Sequence, residues 1–325
     1  MPAAAPRGRG SRFNPPNRFE KTWYEPDPDL TPEAVAIDGM DDEPLDPAPG
    51  TEFIPDFTRT IIATNDSPDV GFDASINPYR GCEHGCAYCF ARPFHEYLGF
   101  SAGIDFETKI VVKERAPALL RAELTDRQWV PKVLALSGVT DCYQPAERRY
   151  RLTRGCLEVL AEFRNPVGII TKNALITRDV DLLAELAGFS AAAVTLSITT
   201  LDPQLHHDLE PRTSTPRGRL KAIEVLSAAG VNCSVNVAPL IPGLNDHEMP
   251  AILEAAARAG AKRAGWVPIR LPYAVAPLFV DWLERMRPDR KDKVINKIKA
   301  FRGGVLYRGD FFVRRQIEGE EMAMV

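Results

Sequence analysis

Short apolar runs alternate with amphipathic stretches over most of this chain, and no other feature restricts its fold as much. The runs at 133–136, 167–170, 194–198, 233–237 and 265–269 are together rich in Val, Ile and Leu. Between them, 154–163, 178–186, 217–229 and 248–258 carry apolar residues at helical spacing, as in Leu182, Leu183, Leu186 and Leu220, Ile223, Leu226. Gly188, Gly230 and Gly260 follow three of these stretches, where a left-handed residue ends a helix. Short apolar strands separated by helices give βαβ units and a parallel sheet. A further strand at 75–77 brings the count to about six units. The predicted fold is α/β, an incomplete (β/α)6 TIM-like barrel of parallel strands with its active face at the strands' C-terminal ends. Further extended runs are expected at 60–63 and 109–113, and helices at 92–98, 116–124, 275–285 and 289–301.

At 325 residues the chain can hold one such barrel with extensions. The predicted organisation is a tail over 1–55, the barrel over 56–305 and a C-terminal extension over 306–325. Arg7, Arg9, Arg12 and Arg18 stand among Pro and Gly, and 25–46 is acidic and Pro-rich without Lys or Arg. Such composition cannot offset its ordering entropy by burial, so the tail is expected to be largely disordered, with Phe19, Trp23 and Tyr24 docking locally. Its charge pattern also suits an arm that binds nucleic acid or a partner. The formal charge of −4 advertises no global field for nucleic acid. No apolar run reaches membrane-spanning length and no signal-peptide core is present, so the expected location is cytoplasmic.

The loop after the first barrel strand, residues 77–92, carries the chemistry. Cys82, Cys86 and Cys89 stand at i, i+4 and i+7, half of the chain's six cysteines in eight residues. Six cysteines in a chain this long are no disulfide framework, and clustered thiols read as metal or cluster ligands. Iron–sulfur cubanes usually take four thiolates, so a triad leaves one iron open to a small molecule. The alternative is a zinc site completed by His84 or Cys142, although structural zinc sites generally come as two separated ligand pairs.

The spacing C-x3-C-x2-C, with Tyr88 before the last cysteine, resembles the signature of the radical S-adenosylmethionine superfamily. The wording from Asn77 to Arg92 resembles its spore photoproduct lyase-related, DNA repair photolyase-like branch. The resemblance continues from about residue 65 to 304, through Asp141-Cys142, Thr171-Lys172, Glu210-Pro211-Arg212 and Ile241-Pro242-Gly243. It implies a [4Fe–4S] cluster on the three cysteines, S-adenosylmethionine on the open iron, and a flavodoxin, ferredoxin or reductase as electron donor. It places the Tyr88 backbone near the adenine and Asp141 where the superfamily's Gly-Gly-Glu element meets the methionyl amino group. It further implies Lys172 at the cofactor carboxylate, Ser197 or Thr199 at the ribose, and the 238–243 backbone, with Pro239 and Gly243, along the adenine. Cys142 would be a hydrogen-atom donor, as a cysteine is in spore photoproduct lyases.

Plainer readings stand beside these. Lys172 and Asp141 can form a rim ion pair, and Thr199 can cap a turn. Glu210 and Arg212 can be a structural salt bridge, Cys156 and Cys233 core thiols, and His206 and His207 surface residues. The preferred substrate is a nucleic acid, held through Arg212, Arg217, Arg219 and Lys221 or through Arg290, Lys291, Lys293, Lys297 and Lys299; either group can instead be a solvated helix face. Other readings are radical modification of a peptide, tRNA or metabolite, and a non-catalytic iron–sulfur electron carrier or sensor.

Overall fold

The computed structural model describes residues 8–20, 50–68 and 71–309. Its strands are β1 (Glu52–Pro55), β2 (Ile62–Thr64), β3 (Ala74–Ile76), β4 (Tyr79–Arg80), β5 (Lys109–Val112), β6 (Leu134–Leu136), β7 (Val167–Thr171), β8 (Ala192–Ser197), β9 (Asn232–Leu240) and β10 (Arg263–Pro268). Its α-helices are α1 (Ile104–Thr108), α2 (Ala116–Thr125), α3 (Glu147–Tyr150), α4 (Leu152–Phe163), α5 (Val180–Gly188), α6 (Pro203–Leu209), α7 (Pro216–Ala228), α8 (Met249–Arg258), α9 (Val275–Met286) and α10 (Lys291–Phe301). A 3-10 helix, Arg92–Leu98, follows the cysteine loop.

The main sheet runs β10-β9-β8-β7-β6-β3-β2. Six of these strands, β3 and β6 to β10, are parallel, and β2 adds an antiparallel edge. The ends β10 and β2 do not pair, so the barrel is incomplete, as the strand and helix alternation predicts. Register aligns Ile76, Leu136, Ile169, Val194 and Cys233 across five neighbouring strands. All five are buried, which is why these strands read as continuous apolar runs. Leu157, Leu160, Leu183, Leu186, Ile223 and Leu226 complete this core from the covering helices. A smaller sheet, β1-β5-β4, holds the entry to the cysteine loop. Gly230 and Gly260 take the predicted left-handed conformation, but Gly188 remains the last residue of α5 and Ser190 adopts it instead.

The N-terminal expectation is corrected in part. Residues 8–20 are not a solvated tail: they pack across the cysteine loop. The Gly10 and Ser11 amides donate to the buried Glu107 carboxylate at 3.0 and 2.9 Å, and Asn17 Nδ2 donates to the Glu96 carbonyl at 2.9 Å. A Cβ on Gly10 would lie 1.8 Å from the Gly85 carbonyl oxygen, so the two backbones touch only because residue 10 has no side chain. Pairing of β1 with β5 also carries the folded part across the boundary expected at residue 55. Trp23, Tyr24 and the acidic 25–46 lie outside the described residues, as do 310–325. Among the described residues no helix is long and apolar enough to cross a membrane.

Candidate functional site

The site is built on the C-terminal ends of the parallel strands. β3 is followed by Asn77, whose side chain accepts a hydrogen bond from the Val139 amide beyond β6 at 2.9 Å. The chain then turns through β4 into the cysteine loop. Backbone bonds fix both sides of that loop: the Cys82 amide donates to Phe106 and the Ala87 amide to Leu209, at 2.8 and 3.1 Å. Arg92, fully buried, donates to the Cys86 carbonyl through Nε and Nη2 at 3.2 and 2.9 Å, and pairs with the equally buried Glu107 at 2.6 Å. Glu107 therefore joins the loop's guanidinium brace to the N-terminal segment.

All three loop cysteines are free thiols, Cys82 and Cys86 buried and Cys89 half-buried. Burial pushes all three thiols up, with Asp141 adding to the rise at Cys82 and Arg92 opposing it at Cys89. Thiolates at such positions need a compensating cation, which iron supplies, so the donor set fits a cluster held by three thiolates. Among the described residues no three His, Cys, Asp or Glu side chains converge to hold a single metal ion. The two proposed fourth zinc ligands are engaged elsewhere. His84 Nε2 lies 3.2 Å from Asn173 Nδ2, and Nδ1 lies 3.4 Å from Asp141. Asn173 Oδ1 accepts from Leu175 and Ser214, so its Nδ2 donates to Nε2 and the ring proton sits on Nδ1. Burial lowers His84 to about 4, keeping it neutral. Cys142 packs in the main core at 1% exposure, its carbonyl accepting from Thr153 at 2.6 Å.

Beneath the loop lies a buried charge network. Glu210, fully buried, accepts from the Tyr88 hydroxyl and the Arg219 guanidinium, and Lys172 Nζ stands 3.9 Å away. Burial alone would raise this carboxyl, but the Arg219 and Lys172 charges outweigh it and hold Glu210 at about 2. Thr199 Oγ1 lies 2.5 Å from Glu210 and 2.9 Å from the Ala238 carbonyl, with one proton for the two. Lys172 Nζ donates to the same carbonyl at 3.1 Å. Tyr88, Lys172 and Thr199, predicted separately, thus meet around one carboxylate.

The remaining predicted residues sort differently. Asp141 accepts from Thr171 Oγ1, the Tyr143 amide and the Lys172 amide at 2.7, 2.9 and 2.8 Å, besides facing His84. Three protein donors thus bond its oxygens, and it ties the loop to β7; the Lys172 ammonium turns to Glu210, not to Asp141. Ser197 is buried, its carbonyl accepting from Arg219. The Pro239 carbonyl accepts from Asn245, which also donates to the Thr199 carbonyl at 2.7 Å, so Asn245 pins the β9 loop to the β8 end. Gly243 lies beyond this point, against Lys293 and Lys297. Glu210 does not pair with Arg212, which binds Glu83 at 3.2 Å. Arg219 is 1% exposed and so is no phosphate contact. His206 is buried, while His207 is exposed. Cys156 and Cys233 are core thiols. The sequence signal for Glu210 and Asn245 was present in the Glu210-Pro211-Arg212 and 241–246 wording, without their partners.

Comparison with known proteins bears on the family and the fold. A family profile described as the Radical SAM superfamily matches residues 76–256. A Mycobacterium tuberculosis protein described as uncharacterised is 42% identical over 220 residues, 67% of this chain; the alignment spans 65% of that relative's length. A Pseudomonas phage M6 protein named Radical SAM Nalpha-GlyT isomerase is 25% identical over 217 residues, 66% of this chain and 43% of its own. The structure of spore photoproduct lyase complexed with dinucleoside spore photoproduct superposes with a TM-score of 0.55 at 17% identity, over 72% of this chain and 67% of that one.

Proposed function

Because this chain belongs to the Radical SAM superfamily, we propose that it is an enzyme whose Cys82, Cys86 and Cys89 hold a [4Fe–4S] cluster that binds S-adenosylmethionine. When bound and reduced, such a cluster supplies the electron that breaks the S–C5′ bond, giving methionine and a 5′-deoxyadenosyl radical that takes hydrogen from substrate. The observation that carries this reading is the meeting of the three-cysteine loop with Lys172, Tyr88 and Thr199 at the strand ends.

The chain's own residues have distinct tasks. Lys172 offers an ammonium with two donors beyond its bond to Ala238, suited to the cofactor's carboxylate. Tyr88, Glu210, Arg219 and Thr199 bind one another and hold the loop, β8 and α7 in one geometry before any ligand arrives. The burial of the loop against α6, α9 and residues 8–20 shields Cys82 and Cys86 from water and leaves Cys89 half-buried. A hydrogen-donor role for Cys142 requires its thiol to leave the core, and its burial favours packing instead.

The preferred substrate is a nucleic acid, with a flavodoxin, ferredoxin or reductase as electron donor. Supporting the nucleic-acid reading, Arg18 lies over the Phe19, Tyr97 and Tyr273 rings at 4.7, 5.4 and 4.0 Å, and all three rings are more than half exposed. Exposed aromatic faces interleaved with arginine are the surface on which unpaired bases stack.

The test is anaerobic reconstitution with iron and sulfide, then dithionite and S-adenosylmethionine. Formation of 5′-deoxyadenosine is expected, with greater yield on adding UV-irradiated DNA than tRNA or cell-extract metabolites. A fully loaded protein that forms none would be an electron carrier or sensor.

A further inference from the structure

The cysteine loop is crossed by residues 8–20, and the crossing is built without clearance. A Cβ on Gly10 would lie 1.8 Å from the Gly85 carbonyl oxygen, and one on Gly103 would lie 2.0 Å from the Phe13 carbonyl oxygen. On the loop itself, a Cβ on Gly85 would lie 2.8 Å from Glu107 Oε2. Backbones this close admit only glycine at residues 10, 85 and 103, so the segment has one seat. Gly85 lies between Cys82 and Cys86, and the segment therefore meets the loop inside the cysteine triad.

Glu107 sits at the centre of the crossing. Its carboxylate is fully buried and takes three donors: Arg92 Nη2 at 2.6 Å, the Ser11 amide at 2.9 Å and the Gly10 amide at 3.0 Å. Two of the three come from the N-terminal segment. The Arg92 guanidinium in turn donates to the Cys86 carbonyl through Nε and Nη2. A path of buried hydrogen bonds thus runs from the Gly10 and Ser11 amides through Glu107 and Arg92 to the backbone of a cysteine. Without the segment, a buried carboxylate would keep one of its three donors, which costs free energy unless water enters or the Arg92 side chain shifts. The segment's other anchors are polar too. Arg285 Nη2 donates to the Gly10 carbonyl at 3.4 Å, and Ser101 Oγ donates to the Pro15 carbonyl at 2.7 Å. None of residues 8–20 belongs to the main core, so the segment can be unseated locally.

We propose that residues 10–13 act through Glu107 as a positioning element for the loop's thiols. Docked, they set Arg92 and the Cys86 carbonyl and close over Cys82 and Cys86. Undocked, the loop loses both supports. The positioning of ligands rests on the cluster reading above, whereas the closing of the loop does not.

The experiment labels the full, iron-free, reduced protein with N-ethylmaleimide and follows each of its six cysteines by mass spectrometry. Gly10→Ala and Gly103→Ala unseat the segment at two separate points, and only the first meets the loop backbone. Both should label Cys82 and Cys86 at least about tenfold faster than the wild type, with Cys142, Cys156 and Cys233 unchanged. Glu107→Gln, which sets an amide among three donors, should do the same and replaces either variant if circular dichroism shows it misfolded. Unchanged labelling of Cys82 and Cys86 in Gly103→Ala would overturn the proposal, because any Gly10→Ala effect would then be a direct clash with Gly85. Acceleration at all six cysteines would also overturn it, making the segment part of the global fold. After reconstitution, both variants should release iron to a chelator faster than the wild type; equal release would overturn the positioning of ligands. A wild type that takes up no iron would remove the cluster reading and leave the labelling to decide the closing of the loop.

Discussion

The Cys82–Cys89 loop carries its three thiols within eight consecutive residues, whereas the network beneath it gathers Tyr88, Lys172, Thr199, Glu210 and Arg219 from the loop, the ends of β7 and β8, the end of α6, and α7. The loop is fixed mainly by backbone bonds, from Cys82 to Phe106 and from Ala87 to Leu209, so its thiols are free to act as ligands. The network is fixed by charges inside the protein, where each group depends on its partners. On the proposed function, the loop's three thiols serve chemistry more than folding. In the network the two demands coincide.

Breaking the network should have the largest effect. Arg219→Ala leaves the buried Glu210 carboxylate with its Tyr88 and Thr199 bonds and the Lys172 charge alone, and should lower stability by about 3–5 kcal/mol in urea unfolding. A loss under about 1 kcal/mol would mean that the network does not hold the strand ends.

The loop's outer support offers a second contrast. His95 lies 1% exposed between Phe100 and Phe106, and neither ring nitrogen has a hydrogen-bond partner. Burial lowers it to about 4 from 6.5. The unfolded chain therefore takes up its proton first as the pH falls. The neutral ring's contribution is whole above pH 6.5 and declines towards pH 4, by about 3 kcal/mol. His95→Phe should lessen the slope of the stability–pH curve over that window, leaving the comparable contribution of His84, also lowered to about 4, and that of His206. An unchanged curve would contradict the burial of a neutral ring.

Lys172→Met sharpens the comparison, since Lys172 belongs to the network and, on the proposed function, also meets the cofactor carboxylate. It should weaken S-adenosylmethionine binding roughly 10- to 100-fold, as expected for one lost charge-assisted bond. Equilibrium dialysis with the reconstituted protein measures this, and equal affinity would remove Lys172 from the cofactor site. Cys89→Ala should be mildest for folding, within about 1 kcal/mol of the wild type when both are free of iron. A greater loss would make the loop as structural as the network.

The same contrast explains what was legible in the sequence. The six parallel strands, most helices and the cysteine loop are written in local spacing, so they could be read directly. Glu210 was read against Arg212, two residues away, because only the fold shows α7 turning Arg219 under the loop. The contacts of Asp141 with Thr171, Lys172, Tyr143 and His84 span three segments, so local spacing could not show them. Residues 8–20 looked solvated because they bind through polar atoms, such as the Gly10 and Ser11 amides on Glu107, and composition measures only apolar burial.

The central claim is a cluster on three loop cysteines with one iron open to S-adenosylmethionine. Electron paramagnetic resonance of the reduced, reconstituted protein, recorded with and without S-adenosylmethionine, tests it most directly. The account predicts a [4Fe–4S] signal that shifts on adding S-adenosylmethionine, persists in Cys142→Ala and is lost in Cys82→Ala, Cys86→Ala and Cys89→Ala. A signal indifferent to S-adenosylmethionine, or one that disappears in Cys142→Ala, would contradict it.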